Sequence, residues 1–165
     1  MCSANAERLW KHPPFSFRLA TTADLPKIIL LLSDDPLGAT RESFEDPLPK
    51  SYYSAFEEID KDPNNELLVI QDSHAELIGV LQLTFIPSLT YRGGWRAMIE
   101  AVRIDKNHRS MGLGRKLVSE AIKRARKRNC VLVQLTSDKT RPDSIRFYEE
   151  LGFVASHEGL KLKLE

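Results

Sequence analysis

Cysteine is almost missing from this chain: two residues among 165, Cys2 near the start and Cys130 before an apolar run. Two thiols that far apart in a domain this long make neither a disulfide framework nor a zinc site. Cys130 reads instead as a small buried hydrophobe. His108 and His157 fall in or near loops without ligand partners at metal spacing, so no metal site is expected. Charge of one sign is lacking as well. Lys+Arg 24 against Asp+Glu 23 leaves a formal net charge of +1, and no overall field draws the chain to nucleic acid or a membrane surface. No apolar run is long enough to cross a bilayer, and Met1–Arg8 lacks the long apolar stretch of a secretory signal. The expectation is a cytoplasmic, reduced protein.

What is present is the balance of a soluble globular domain, 42% hydrophobic and 28% charged. The length suits one domain with a substantial core. Residues 1–14 read as a loosely held arm ending in Pro13-Pro14, and 15–165 as the domain. Phe15, Phe17 and Leu19 alternate with smaller or polar residues, a strand pattern. Thr21 with Asp24 resembles a capping box, and Leu25, Ile28, Leu31 and Leu32 share one face of the helix that follows. That helix should stop near Pro36. Tyr52, Tyr53, Phe56 and Ile59 suggest a second helix. Strands are expected over 66–71, 77–86, 97–104 and 131–136, helices over 113–128 and 142–150, and two final strands over 153–155 and 160–164. The order is βααβββαβαββ, an α/β (α+β) mixed sheet.

The most informative stretch is Arg109-Ser110-Met111-Gly112-Leu113-Gly114, between a strand and an amphipathic helix. The first turn of a helix has unpaired amides and a partial positive charge. Glycines let an anion approach that backbone closely. A P-loop would need Lys then Ser or Thr after its last glycine, yet Gly114 is followed by Arg115-Lys116. A dinucleotide fingerprint needs a third glycine where Leu117 stands. Both are excluded, and an anion site remains.

The spacing Arg109-x-x-Gly112-x-Gly114 resembles the pyrophosphate signature of the GNAT superfamily of acetyl-CoA-dependent N-acetyltransferases. Ile99–Asp105 is similar to the strand before that family's loop. Phe147–Phe153 looks like its tyrosine-bearing helix and glycine turn, and Arg18–Leu25 like its opening strand and helix. The resemblance covers about residues 17–164.

This resemblance implies acetyl-CoA as cosubstrate, with no metal. It implies that the backbone of Val102, Arg103 and Ile104 pairs with the pantetheine arm. Arg109, Ser110, Met111, Gly112, Leu113, Gly114 and Arg115 would form the pyrophosphate loop. The chemistry is attack of a primary amine on a thioester. An aliphatic ammonium with a pKa near ~10 must first lose a proton, so a base is required. The resemblance places Glu100 in that role, directly or through water. By alternation Glu100 is expected to share a face with Met98, Val102 and Ile104. Tyr148 matches the general acid. A phenol near ~10 giving its proton to a thiol near ~8.5 is uphill by ~2 kcal/mol, so a hydrogen bond to the thiolate is the better-supported form of that role.

Arg141 stands where many relatives carry an asparagine that meets the cofactor. Asp34, Asp35, Glu42, Glu45 and Asp46 suggest an acidic lip at the acceptor side. The cations of 115–128 read as the solvated face of a helix rather than a nucleic-acid stripe. The acceptor amine stays unidentified, and a homodimer stays open. The competing function is a non-catalytic acyl-CoA sensor or scaffold of the same fold.

Overall fold

Apolar residues on both faces of two central strands force helices onto each side of one sheet. The computed structural model describes residues 15–164. The expected arm 1–14, with Cys2, lies outside the described residues, as does Glu165. The strands are β1 (Phe15–Leu19), β2 (Asn65–Asp72), β3 (Leu77–Ile86), β4 (Trp95–Ile104) and β5 (Cys130–Leu135), in that spatial order. The helices are α1 (Leu25–Ser33), α2 (Lys50–Lys61), α3 (Leu113–Lys127) and α4 (Pro142–Glu149). β1 to β4 run antiparallel, whereas β4 and β5 are parallel and joined through α3. The mixed sheet and its first nine expected elements are therefore present in the expected order.

Two cores follow from the two faces. On one, Leu25, Ile28, Ile29 and Leu31 of α1 and Phe56 of α2 meet Val69 and Val80. On the other, Leu117, Val118, Ala121 and Ala125 of α3 cover Leu68, Leu81, Leu83 and Ile99. The capping box at Thr21 forms: Asp24 accepts the Thr21 N–H at 2.7 Å. Arg18 donates to both Asp24 oxygens, at 2.7 and 2.8 Å. That fork, ahead of the Thr21 bonds, holds the Asp24 carboxyl at about 2.

The two final strands do not form. Residues 153–155 and 160–164 pair with no strand among the described residues, and Leu160, Leu162 and Leu164 are 94%, 86% and 87% exposed. Alternation gives a segment a face, but only a hydrogen-bonded neighbour makes it a strand. The remaining boundaries agree with expectation to within two residues at most ends, as far as caps define them.

Two irregularities in β4 shape everything downstream. Its pairing with β5 runs from Trp95 only to Ile99, opposite Leu135. Beyond that point the two parallel strands separate. In the same place β4 carries one extra residue against β3, since Gln82 faces Glu100 but Val80 faces Arg103. Ala101 sits in this bulge with φ of 54°, a left-handed conformation that an alanine adopts only under constraint.

Candidate active site

The bulge decides which side chains of β4 meet. Before it, Ala97 and Ile99 face α3; after it, Val102 and Ile104 do. The change from odd to even numbers is the extra residue. Glu100 and Arg103 consequently share the opposite face with Met98, opposite Gln82, Val80 and Thr84 of β3. The expected company of Glu100 is corrected here: Val102 and Ile104 lie on the other side, because strict alternation fails across a bulge. Glu100 is exposed, and among the described residues its carboxylate makes no ion pair. Nearby on this face an apolar hollow of about 130 Å³ opens between α1, α2 and the sheet, touching Leu32, Tyr52, Gln82 and Ala101.

On the α3 side, the separation of β4 from β5 leads into a cavity of about 320 Å³. It is lined by Ile104, His108, Arg109, Ser110, Gly112 and the first turn of α3, with Phe147 across from them. Gly112 caps α3 in the left-handed region, at φ of 74°. No side chain caps this helix, and the first amide bonded back into it is that of Lys116, to the Gly112 carbonyl. The amides of Leu113, Gly114 and Arg115 are thus left for a ligand. A Cβ on Gly114 would stand 3.5 Å from the Phe147 ring, in ordinary contact. A Cβ on Gly112 would meet nothing within 4 Å, so its glycine answers to backbone conformation alone.

The other loop residues divide sharply. The Met111 side chain is 63% exposed and does not line the cavity, whereas Leu113 is buried in the core. Arg109 turns back on the protein, its Nε donating to the Ile104 carbonyl at 3.1 Å and its Nη2 to Asp34 at 3.0 Å. Arg115 pairs with Glu150 at 3.0 Å. Val102 and Ile104 pack into the core, while the Arg103 side chain leaves the cavity for the opposite face.

Tyr148 lies on α4, half-buried, its ring edge-on to Phe147 at 5.0 Å and to Phe153 at 5.8 Å. Burial lifts its phenol above the ordinary value, against the pull of the Arg103 and Arg141 guanidiniums. Those two arginines meet at one carboxylate: Asp35 Oδ2 lies 3.1 Å from Arg103 and Oδ1 2.7 Å from Arg141. Asp35 also accepts the Gly38 N–H at 2.7 Å. Burial alone would raise the Asp35 carboxyl; Gly38, Arg141 and Arg103 together hold it below its ordinary value. Sequence reasoning missed this cluster. Its members sit at positions 35, 103 and 141, and no local spacing joins them. It also revises the acidic lip, since Asp34 and Asp35 are already neutralised by arginines.

Among the described residues no group of three His, Cys, Asp or Glu could hold a metal ion, and no helix is long and apolar enough to cross a membrane.

A splayed pair of parallel strands beside a bare helix N-terminus can take an extended ligand that carries phosphate. The model of the acetyltransferase (GNAT) family matches residues 34–153. The chain belongs to that family. Over 88 residues it is 33% identical to a glucosamine 6-phosphate N-acetyltransferase of Trypanosoma brucei brucei, a stretch covering 53% of this chain and 58% of that protein. The chain thus spans little more than half the length of that relative. A protein of Bacillus halodurans C-125 described as a transcriptional regulator is 54% identical, with a TM-score of 0.88 over 91% of this chain and 99% of its own. An acetyltransferase of Trypanosoma brucei shares the fold at a TM-score of 0.73 and 24% identity, over 91% of this chain and 99% of its own. GNAT proteins use acetyl-CoA as cosubstrate, and the uncapped turn of α3 beside Gly112 and Gly114 fits a pyrophosphate.

Proposed function

We propose that this GNAT domain is an N-acetyltransferase that moves the acetyl group of acetyl-CoA to a primary amine. The observation that carries the reading is the open length of β4. From Glu100 to Ile104 its edge has no strand partner on the β5 side, and Ile104 at its end lines the same cavity as the bare first turn of α3. An extended amide-bearing chain can pair with that edge as a strand would, while Leu113, Gly114 and Arg115 offer N–H groups to phosphate oxygens.

The bound thioester supplies an activated acyl carbon. Glu100, exposed on the face away from α3, accepts a proton from the incoming ammonium, directly or through water. Tyr148 is protonated at neutral pH as any phenol near ~10 is, and burial pushes it further in that direction. It donates a hydrogen bond to the departing sulfur and stabilises the thiolate, and the second proton, shed by the nitrogen as the amide forms, passes through water to that thiolate. Phe147 and Phe153 fix its ring by edge contacts. The roles of Glu100, Tyr148, Val102, Arg103, Ile104 and the 109–115 loop belong to this proposal.

A nucleic-acid role, which the description of the Bacillus protein would suggest, has less support. Several cations of α3 and its C-cap are already engaged: Arg115 with Glu150, Arg124 with Glu66 and Glu120, and the capping Arg128 with the Pro63 carbonyl.

The test joins binding to turnover. Acetyl-CoA at a hundred times its Kd should stabilise the fold by about 2.7 kcal/mol. Thiol release should appear with at least one amine of a broad panel. Glu100→Gln and Tyr148→Phe should each lower kcat about 10²–10⁴-fold. Binding without turnover for any amine would favour the sensor reading, and full turnover in both variants would remove the two residues from the chemistry.

A further inference from the structure

We infer that Arg103 and Arg141 form an anion subsite for the acetyl acceptor, which is a small primary amine carrying a carboxylate or phosphate. The inference rests on the N-acetyltransferase reading and names the acceptor class for the same site.

The charges do not balance where the two arginines meet. Asp35 is a single carboxylate, and it gives one oxygen to each guanidinium. Arg41 adds a third cation close enough to be felt at Arg103, and Asp138 stands 3.9 Å from it. Arg41, Arg103 and Arg141 against Asp35 and Asp138 leave one positive charge over. The donors are in surplus too. A guanidinium has five N–H groups. Arg103 spends its donors on the Val102 carbonyl at 2.9 Å and on Asp35, and its Nε is buried without a partner. Arg141, with 30% of its side chain exposed, meets Asp35 through Nη2 alone, and its remaining donors are open to an anionic oxygen.

The cluster is also held in place rather than left to solvent. Asp35 is pinned by the Gly38 N–H, and a Cβ on Gly38 would fall 2.0 Å from the Leu32 carbonyl oxygen. Only glycine fits there, so the loop that presents Asp35 is closely packed on the end of α1. Asp35 then holds both guanidiniums by charge, one oxygen toward each.

Position supplies the remaining link. The bulge at Ala101 puts Arg103 on the same face of β4 as Glu100, about 10 Å of strand away at most. Both arginines also lie near the Tyr148 phenol. A small amine whose anionic end rests on Arg103 and Arg141 therefore has its nitrogen within reach of Glu100. A polycationic acceptor would face the surplus positive charge instead.

The experiment compares matched acceptors: glucosamine against glucosamine 6-phosphate, and 4-aminobutanamide against 4-aminobutyrate. The anionic member of at least one pair should be preferred about 10–100-fold in kcat/KM, the worth of a hydrogen bond to a charged group. Whichever pair responds tells phosphate from carboxylate. In Arg141→Gln that preference should collapse toward one, mainly through KM, and Arg141→Lys should restore part of it. A preference for the neutral members would overturn the inference, as would a preference untouched by Arg141→Gln. So would an equal loss of acetyl-CoA affinity in that variant, which would assign the arginine to the cofactor. If no amine is acetylated while acetyl-CoA still binds, the enzyme reading itself has failed, and that result is distinct from all three.

Discussion

Gly79→Ala separates crowding from backbone strain as reasons for glycine in this fold. Gly79 lies on β3 opposite Ile104 of β4. A Cβ there would stand 2.6 Å from Ile104 Cδ1, 2.8 Å from Ile70 Cγ2 and 2.9 Å from the Arg103 carbonyl oxygen. The two methyl groups can turn aside, but the carbonyl belongs to the β4 backbone and cannot. Overpacking of this kind costs about 1–3 kcal/mol, which for a chain of this size lowers the thermal midpoint by about 3–10 °C. Two other glycines serve as controls. Gly112→Ala meets no atom within 4 Å but must hold φ of 74°, a cost of about 1–2 kcal/mol from conformation alone. Gly159→Ala has a nearest neighbour at 3.6 Å and no left-handed φ, and should stay within about 0.5 kcal/mol of the parent. Thermal unfolding by calorimetry ranks the three. If Gly79→Ala melts with Gly159→Ala, the crowding argument is wrong.

The ion pair at the first turn predicts an acid-sensitive increment of stability. Asp24 is held at about 2 in the fold against an ordinary 3.8. A depressed carboxyl contributes stability that is full above the unfolded value and lost as pH falls through the folded one. The urea-unfolding difference between the parent and Asp24→Asn should therefore be roughly 1–2 kcal/mol at pH 6, shrink below pH 4 and vanish near pH 2. A difference that stays constant over that window would sink the assignment. In the core, Leu117 is fully buried against the sheet, so Leu117→Ala should cost about 2–5 kcal/mol, seen as a lower urea midpoint at unchanged slope.

Much of the fold was legible because it rests on short-range patterns. Pro36 after α1, the Thr21–Asp24 box and the helical spacing of Leu113, Leu117 and Ala121 each mark an element locally. The glycine loop was legible for the same reason, since two glycines at a helix start already state their chemistry. What was hidden depends on partners. Leu160, Leu162 and Leu164 alternate like a strand yet pair with no edge among the described residues. Ala101 carries no sign of a bulge, because the residue type that takes a positive φ by preference is glycine and this position is alanine. Reading β4 as regular therefore put Glu100 beside Val102 and Ile104. The meeting of residues 35, 103 and 141 is set by tertiary packing alone, which no window along the chain can contain.

The extra residue in β4 has a consequence for how such a strand can change. Below Ala101 and above it, the chain runs in opposite phase, so the acid at 100 and the arginine at 103 look the same way although an odd number of steps separates them. Restoring the regular count, by deleting Ala101, would alter no charged side chain. It would leave Glu100 and Arg103 two steps apart in a regular strand, still on one side of the sheet; only keeping Ala101 and pairing every residue regularly would send them to opposite sides. Where these groups work is written in the parity of the backbone, and one small residue holds the key to it.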